Sequence, residues 1–191
     1  MHYLLRHGET NFNEKGLVQG YSNDSRLTIN GRKEMQWAAK WLDSQVDCFD
    51  EVICSDLYRA HESWIIIRNH IKFMKFRFTQ ALREQGQGIF EGMPYDDPKW
   101  IAFQKAQKKR EAPPLRGTEN IDAFNTRISE FFDGLIPSIR SLIISHGGVL
   151  ECHLKQLGIK NPRVANGEII CIDRGQGNIE KPTIHHVKPN S

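Results

Sequence analysis

Leu4-Leu5-Arg6-His7-Gly8-Glu9-Thr10 places an arginine and a histidine side by side at the point where an apolar strand runs into a glycine turn. The apolar residues before Arg6 predict a short buried strand, and Gly8 relaxes the backbone after it. The polar run 9–20 is typical of a loop over a ligand, and ligands of open α/β sheets collect beyond the carboxyl ends of strands. An isolated His-Arg pair is more often a core histidine beside a surface cation, so the interpretation depends on later segments.

Two later segments repeat this arrangement. Residues 49–54 predict a short apolar strand, and a helix that begins near Leu57 carries Arg59 in its first turn. Residues 141–145 are nearly all apolar, which predicts a central strand covered on both faces, and His146 follows directly. Because the carboxyl ends of parallel strands lie on one edge of a sheet, we expect these side chains to meet.

A cleft that combines Arg6, His7, Arg59 and His146 with helix N-termini suits a dianion. Guanidinium groups match phosphate oxygens in pairs, and helix N-termini offer unpaired N–H groups. The residues therefore predict a site for a phosphoryl group. Neutral donors of the first loop are expected from Asn13, Gln19 and Gly20.

The remaining pattern predicts an α/β order in a single domain that spans 1–191, with a short helical lid inserted at about 94–116 between prolines. The lid cations Lys105, Lys108, Lys109 and Arg110 are expected to set substrate choice by meeting a second negative charge, and a solvated helix face is the alternative. Further helices are predicted at about 29–44, 57–70, 118–135 and 147–157, the second capped by Ser55 or Asp56, and further strands at about 76–82, 168–173 and 183–186.

Composition excludes several classes of protein. The chain has 191 residues, 39% of them hydrophobic, and a formal net charge of +3. Its isoelectric point of about 8.7 falls short of the value above roughly 9 that is typical of nucleic-acid-binding domains. No window approaches the ~20 apolar residues that span a bilayer, and the four cysteines lack the spacing of a disulfide or zinc framework. We therefore expect a cytoplasmic protein with reduced thiols and with neither nucleic acid nor membrane as a partner.

Two rival chemistries find little support in the residues. Cys54 and Arg59 suggest a cysteine phosphatase, but only four residues separate them and none is glycine. Cys54 is thus interpreted as a buried strand residue. His185 and His186 are adjacent in a predicted strand and point to opposite faces, which makes them a poor metal pair. No metal and no cofactor are expected.

An ordered set of motifs resembles the histidine phosphatase superfamily, and more narrowly its phosphoglycerate mutase-like branch, from about Tyr3 to Asp173. The resemblance implies a mainly parallel sheet sandwiched between helices, and a phosphohistidine intermediate on His7. It also implies that Arg6, Arg59 and a protonated His146 hold the phosphoryl oxygens, and that Glu84 donates a proton. The matching residues are Arg6 to Thr10, Asn13, Gln19-Gly20, Leu27-Thr28, Gly31, Ser55 to Ala60, Glu84, Phe90 to Gly92 and Ser145 to Gly148.

The resemblance also guides the choice among activities. The branch often carries serine where Asn120 stands and threonine where Ser63 stands. Mutases that recycle a bisphosphorylated cofactor tend to be longer, with larger insertions over the cleft, so the short lid favours a phosphatase. We expect a metal-independent phosphoric monoester hydrolase of the histidine acid phosphatase type, acting on a small phosphorylated metabolite. The alternatives are a phosphoglycerate-type mutase and a catalytically weak module that binds phosphorylated ligands, and a homodimer remains open.

Overall fold

The structure is a computed structural model that describes residues 1–113, 115–173 and 183–189. Its strands are β1 (His2–Arg6), β2 (Phe49–Ser55), β3 (Phe73–Thr79), β4 (Ser141–Ser145), β5 (Ile169–Asp173) and β6 (Thr183–Val187). They form a six-stranded sheet in the order β3-β2-β4-β1-β5-β6. Strands β1 to β4 are parallel, whereas β5 and β6 pair antiparallel at one side. The prediction of a mainly parallel sheet with a central fourth strand is confirmed.

The helices are α1 (Asn11–Glu14), α2 (Ile29–Gln45), α3 (Tyr58–Ile67), α4 (Pro98–Lys109), α5 (Ile121–Asp133) and α6 (Gly147–Gln156). Local hydrogen bonds explain where several of them begin. The Thr28 hydroxyl accepts the Gly31 N–H at α2, and the Asn120 side chain accepts the N–H groups of Asp122 and Ala123 at α5. Asn120 is thus accounted for by capping α5. Neither Ser55 nor Asp56 caps α3, because Leu57 occupies the cap position without a side-chain bond.

Alternate residues of the central strands pack on opposite layers of helices. Leu5 and Ile144 join a cluster with α2 and α3, whereas Leu4 and Ile143 join a cluster with α5 and α6. All four side chains are fully buried, and each contributes about 1.5–3 kcal/mol relative to exposure. Burial on both faces confirms the sandwich, and it holds the carboxyl ends of the strands at a fixed edge.

The lid forms a smaller cluster of its own. Trp100 and Phe103 of α4 pack against Val18 and Phe90, so the inward face of the lid helix closes over the first loop. Its lysines lie on the other face and are exposed. No helix in the described part of the chain is long and apolar enough to cross a membrane.

Candidate active site

His7 is buried, and one of its two ring nitrogens is already hydrogen-bonded. Its Nδ1 lies 2.8 Å from the Gly8 carbonyl oxygen, which can only accept, so Nδ1 carries the proton and Nε2 keeps its lone pair. Burial, together with the charges of Arg59 and Arg6, holds the pKa of His7 well below its usual 6.5. The imidazole is therefore neutral at pH 7, which is the form of a nucleophile.

The loop after His7 leaves no room for side chains. A Cβ on Gly8 would lie 2.3 Å from the Gly31 carbonyl oxygen, so the turn packs directly on the start of α2. The Gly8 N–H donates to the Ser63 hydroxyl at 3.3 Å, and the His7 N–H donates to the Ser145 carbonyl at 3.0 Å. This close packing explains the glycine and fixes the position of the nucleophile.

Arg59 and Arg6 are anchored by carbonyl oxygens rather than by carboxylates. Arg59, only 1% exposed, donates from its Nη atoms to the carbonyls of Gly20 and Ser22 at 2.9 and 3.3 Å. Arg6 donates to the Val164 carbonyl at 2.7 Å. Burial lowers the pKa of Arg59 to about 10, which still leaves it cationic at pH 7. Neither arginine is in an ion pair within the described residues. Because a buried charge is costly unless it is paired, this arrangement indicates a site for an anionic ligand.

His146 is fully buried beside His7, and the centroids of the two rings are 5.2 Å apart. Its Nε2 is 2.8 Å from the buried Ser55 hydroxyl, which accepts the Leu57 N–H and has no acceptor for its own proton among the described residues except Nε2. The ring proton therefore sits on Nδ1. Burial, Arg59, His7 and Arg6 hold the pKa of His146 well below 6.5. His146 is therefore neutral at pH 7 in the structure without a bound anion, since a third cation beside two arginines is unfavourable until a dianion offsets it. A protonated His146 in the phosphoryl-bound state stays a prediction.

Three buried donors around His7 lack a partner. The Nε atoms of Arg6 and Arg59 and Nδ1 of His146 make no hydrogen bond to any described residue. An unsatisfied buried donor is costly and uncommon, and three of them at one place indicate a ligand with several acceptor oxygens. Arg6, His7 and Arg59 line a cavity of about 290 Å³, into which the phosphoryl group expected from the sequence would fit.

Glu84 lines this cavity at the N-terminus of α6. Its Oε2 accepts the Gly148 N–H at 2.9 Å and its Oε1 accepts the Gln85 N–H at 2.9 Å. A Cβ on Gly148 would lie 2.3 Å from Oε1, so the glycine makes space for the carboxylate. The structure thus brings Glu84 into the same wall as His7 and both arginines.

The first loop provides two of the three residues that were predicted as neutral donors to the ligand. Gln19 and Gly20 line the cavity, and Gly20 adopts a positive φ of 48° that turns its carbonyl onto Arg59. Asn13 is not among the residues that line the cavity, and its role as a ligand stays a prediction. Its Oδ1 accepts from the Thr10 N–H at 3.1 Å and from the Asn166 amide at 3.3 Å, because it closes the capping box of α1.

The predicted role of the lid cations needs correction. Lys105, Lys108 and Lys109 are exposed and do not line the cavity, and Arg110 pairs with Asp122 at 2.9 Å. The spacing of α4 turns its apolar and amide residues inward, because Trp100 and Phe103 pack on the loop below. The alternative of a solvated helix face is the one that the structure supports.

Several supporting residues escaped the sequence reasoning. The Asn166 amide donates to the His7 carbonyl at 3.1 Å, and the Gly167 N–H donates to the same oxygen at 3.3 Å. The Glu91 carboxylate accepts the N–H groups of Tyr21 at 2.7 Å and Gln87 at 3.1 Å, which joins two loops of the cavity. No local sequence pattern predicts the role of Asn166, which is 159 residues away from His7 in the chain. Glu91 belongs to the motif Phe90 to Gly92, but its bonds to the two loops were not predicted.

Cys54 has no place in the cavity. Its thiol is fully buried in β2 and donates to the Ser55 carbonyl at 3.2 Å. Burial raises the pKa of the thiol well above its usual value, so the thiolate that a cysteine phosphatase needs is disfavoured. Within the described residues, no three His, Cys, Asp or Glu side chains are grouped so that they could hold a metal ion.

Comparison with known proteins connects this geometry to a family. The family model of the histidine phosphatase superfamily, branch 1, matches residues 2–180. Broad-specificity phosphatase YOR283W of Saccharomyces cerevisiae is 28% identical over 167 residues, covering 83% of this chain and 70% of that protein. A 2,3-bisphosphoglycerate-dependent phosphoglycerate mutase of Methylorubrum populi is 28% identical over 177 residues, covering 87% of this chain and 83% of that protein.

Fructose-2,6-bisphosphatase TIGAR B of Danio rerio is 31% identical over 151 residues, covering 78% of this chain. Only 56% of that relative is covered, so the chain spans little more than half its length. Among solved structures, the alpha-ribazole phosphatase from Shigella flexneri superposes with a TM-score of 0.79 at 26% identity, covering 98% of this chain and 96% of that one. The chain therefore belongs to the histidine phosphatase superfamily, branch 1, as a phosphatase-like or mutase-like member.

Proposed function

We propose that this protein hydrolyses phosphate monoesters of small metabolites through a phosphohistidine on His7, without a metal ion. One observation carries the proposal: the free Nε2 of a neutral His7 lies among three buried donors that have no partner of their own. Three donors match the three equatorial oxygens of a phosphoryl group in transfer. The four free cysteines support a cytoplasmic location, where thiols stay reduced.

In the first step Nε2 of His7 attacks phosphorus, a P–N bond forms and the P–O bond to the alcohol breaks. Arg6 Nε, Arg59 Nε and His146 Nδ1 donate to the oxygens that gather charge. Glu84, acting in its protonated form, gives its proton to the departing oxygen and becomes a carboxylate. The proton is needed because an alkoxide is a poor leaving group and His7 occupies the opposite face of phosphorus.

In the second step the Glu84 carboxylate takes a proton from water, and the resulting hydroxide attacks phosphorus. The P–N bond breaks, His7 recovers its lone pair, and inorganic phosphate leaves with Glu84 protonated again. The bound dianion offsets the charges of Arg6 and Arg59, which raises the pKa of His146 while the phosphoryl group is present. This sequence needs no group outside the chain except water.

A phosphatase of the histidine acid phosphatase type is favoured over a mutase. The names of the similar proteins include both activities, so the decision depends on this chain's own cavity. A mutase must hold a second acidic group of its substrate, and the lid cations that could do so point away from the cavity. Water is then the acceptor of the phosphoryl group.

The proposal is tested by a hydrolysis screen of sugar phosphates, sugar acid phosphates, nucleotides and 4-nitrophenyl phosphate, with and without chelator. We expect turnover that chelator does not change and that His7→Ala abolishes. The exposed His70 offers a matched control, and His70→Ala is expected to keep wild-type rates. Turnover that persists in His7→Ala, or that requires a divalent ion, would contradict the proposal.

A further inference from the structure

The wall of the cavity beyond the phosphoryl donors is neutral or acidic. Its cations are Arg6 and Arg59, which serve the phosphoryl end, and its other ionisable acids are Glu84, the proton donor, and Glu151. The other polar side chains of the wall are amides and one phenol: Gln19, Gln85, Gln87, Gln104 and Tyr95. One dianion can therefore be compensated at the phosphoryl end, and no cation of the wall is left for a second.

Three arginines near the cavity are already paired with carboxylates. Arg83 binds both carboxylate oxygens of Asp56, at 2.7 and 2.6 Å, and Arg127 binds Glu119 at 2.9 and 2.7 Å. Exposed Arg163 lies 3.4 Å from Glu151. Lys155, which is exposed on α6, lines an adjoining groove that shares Glu151 with the cavity. Lys155 is therefore the cation to be tested as a competitor.

A chain of hydrogen bonds between side-chain amides determines the orientation of the Gln87 amide. Gln85 Nε2 donates to the Glu119 carbonyl at 3.0 Å, which turns its Oε1 toward Gln87. Gln87 Nε2 donates to that Oε1 at 3.4 Å, and Gln87 Oε1 is left buried without a partner. The network thus assigns an unpaired acceptor, not a donor, to Gln87 in the cavity wall.

Trp100 offers the complementary group. Its indole Nε1 is buried and donates to no described residue, and the residue lines the cavity from the lid although it is only 3% exposed. The unpaired acceptor on Gln87 and the unpaired donor on Trp100 each suit a hydroxyl group, which both donates and accepts. A phosphate or carboxylate oxygen at Gln87 would instead place two acceptors against each other.

We infer that the cavity selects phosphate monoesters whose remaining part is uncharged and carries hydroxyl groups, with Gln87 Oε1 accepting from one of them and Trp100 Nε1 donating. The inference rests on the proposed function, since it concerns the substrate of that same site. Sites built to hydrogen-bond a neutral group reject a partner that leaves their buried polar atoms unpaired. Monophosphates should therefore be preferred over the corresponding diacids and bisphosphates.

Matched pairs of ligands test the selection. Glycerol 3-phosphate and 3-phosphoglycerate differ by a hydroxymethyl against a carboxylate, and adenosine 5′-monophosphate and adenosine 3′,5′-bisphosphate differ by a hydroxyl against a phosphate. We expect the neutral member of each pair to bind at least about tenfold more tightly by calorimetry, with the same order in kcat/KM. Calorimetric Kd values do not depend on turnover. A protein that turns over nothing would refute the proposed function while the Kd ratio still decided the selection.

Variants of two wall residues identify the groups responsible. Gln87→Met removes the acceptor at similar volume, and we expect the loss of kcat/KM on glycerol 3-phosphate to exceed that on 4-nitrophenyl phosphate by about tenfold. Gln104→Lys adds a cation to the inward face of the lid, and it should raise the ratio of 3-phosphoglycerate to glycerol 3-phosphate affinity by about tenfold. Gln104→Met, which has similar length and no charge, is the control and should leave that ratio unchanged.

Two binding results would overturn the inference, and a third would remove one of its residues. One is equal or tighter binding of the anionic member in both pairs. The other is a preference for the bisphosphate that disappears in Lys155→Met, which would assign Lys155 as a second anion site. Wild-type-like discrimination in Gln87→Met would also remove Gln87 from the recognition of the hydroxyl.

Discussion

Gly148→Ala tests the role of Glu84 without altering Glu84 itself. The added Cβ would lie 2.3 Å from Oε1, 3.0 Å from Cδ and 3.1 Å from Oε2 of the carboxylate. Ordinary contacts between such atoms are about 3.5 Å, so the carboxylate has to retreat by about 1 Å, a misplacement that can cost about 100-fold in rate, or about 2.7 kcal/mol. Alanine is a better helix former than glycine by about 1 kcal/mol, so the first turn of α6 should survive the change.

The assay compares two leaving groups. Glycerol 3-phosphate requires a proton on its departing oxygen, whereas 4-nitrophenyl phosphate does not, because nitrophenolate is a stable anion. We expect Gly148→Ala to lower kcat on glycerol 3-phosphate by about 100-fold. On 4-nitrophenyl phosphate it should give a burst of nitrophenolate followed by slow turnover, because Glu84 also activates the water of the second step. Glu84→Gln should show the same pattern, with a loss of about 10²–10⁴-fold.

Gly134→Ala is the matched control. Its Cβ would meet only backbone oxygens of α5, the nearer at 3.3 Å, and the residue does not line the cavity. Its rates should match those of the wild type, and the melting temperatures of both alanine variants should stay within a few degrees of it. Equal losses on the two substrates without a burst of nitrophenolate in a stable Gly148→Ala protein, or no loss at all, would refute the assignment of Glu84 as the proton carrier.

Three further outcomes are expected. Asn166→Ala, which removes a donor to the His7 carbonyl, should lower kcat about fivefold to tenfold with little change in KM, and steady-state kinetics that show only a rise in KM would argue against a positioning role. Cys54→Ala should keep wild-type kcat while lowering the urea midpoint, because it leaves a cavity in the core, and a loss of activity in the folded protein would revive the cysteine mechanism. The free energy of unfolding should fall as pH drops below about 6.5, by up to about 1.4 kcal/mol per pH unit for each of His7 and His146, because their lowered pKa values keep them neutral in the fold while the unfolded chain takes up protons. Urea titrations between pH 7.5 and 5 that give a flat profile would contradict those shifts.

The sequence predicted those features that local pattern or a strand end determines. Apolar runs located the central strands, and the position of His7 and His146 directly after two of them placed both at one edge, which the register of Arg6 with Ser145 confirms. The lid helix was anticipated from its bracketing prolines and begins with Pro98. Which face of that helix would turn inward depends on the packing of Trp100 and Phe103 against the loop below, so the assignment of its lysines to the substrate was wrong.

Other features depend on contacts between distant parts of the chain. Asn13 is a polar residue in a loop over the site, and the capping box that its side chain closes was not predicted from the sequence. The charge state of His146 follows from its burial beside Arg59, which no spacing reveals. The acceptor on Gln87 is fixed only through Gln85 and the Glu119 carbonyl, a chain of hydrogen bonds that requires the folded structure.

The most direct test of the central claim is to trap the covalent intermediate. The wild-type protein is mixed with a radiolabelled phosphate monoester, quenched in alkali within the burst, and digested for mass spectrometry. The account predicts one base-stable, acid-labile phosphate on the peptide that contains His7, absent from His7→Ala and longer-lived in Glu84→Gln. Label on any other residue, or full turnover with no trapped phosphate on His7 even in Glu84→Gln, would contradict it.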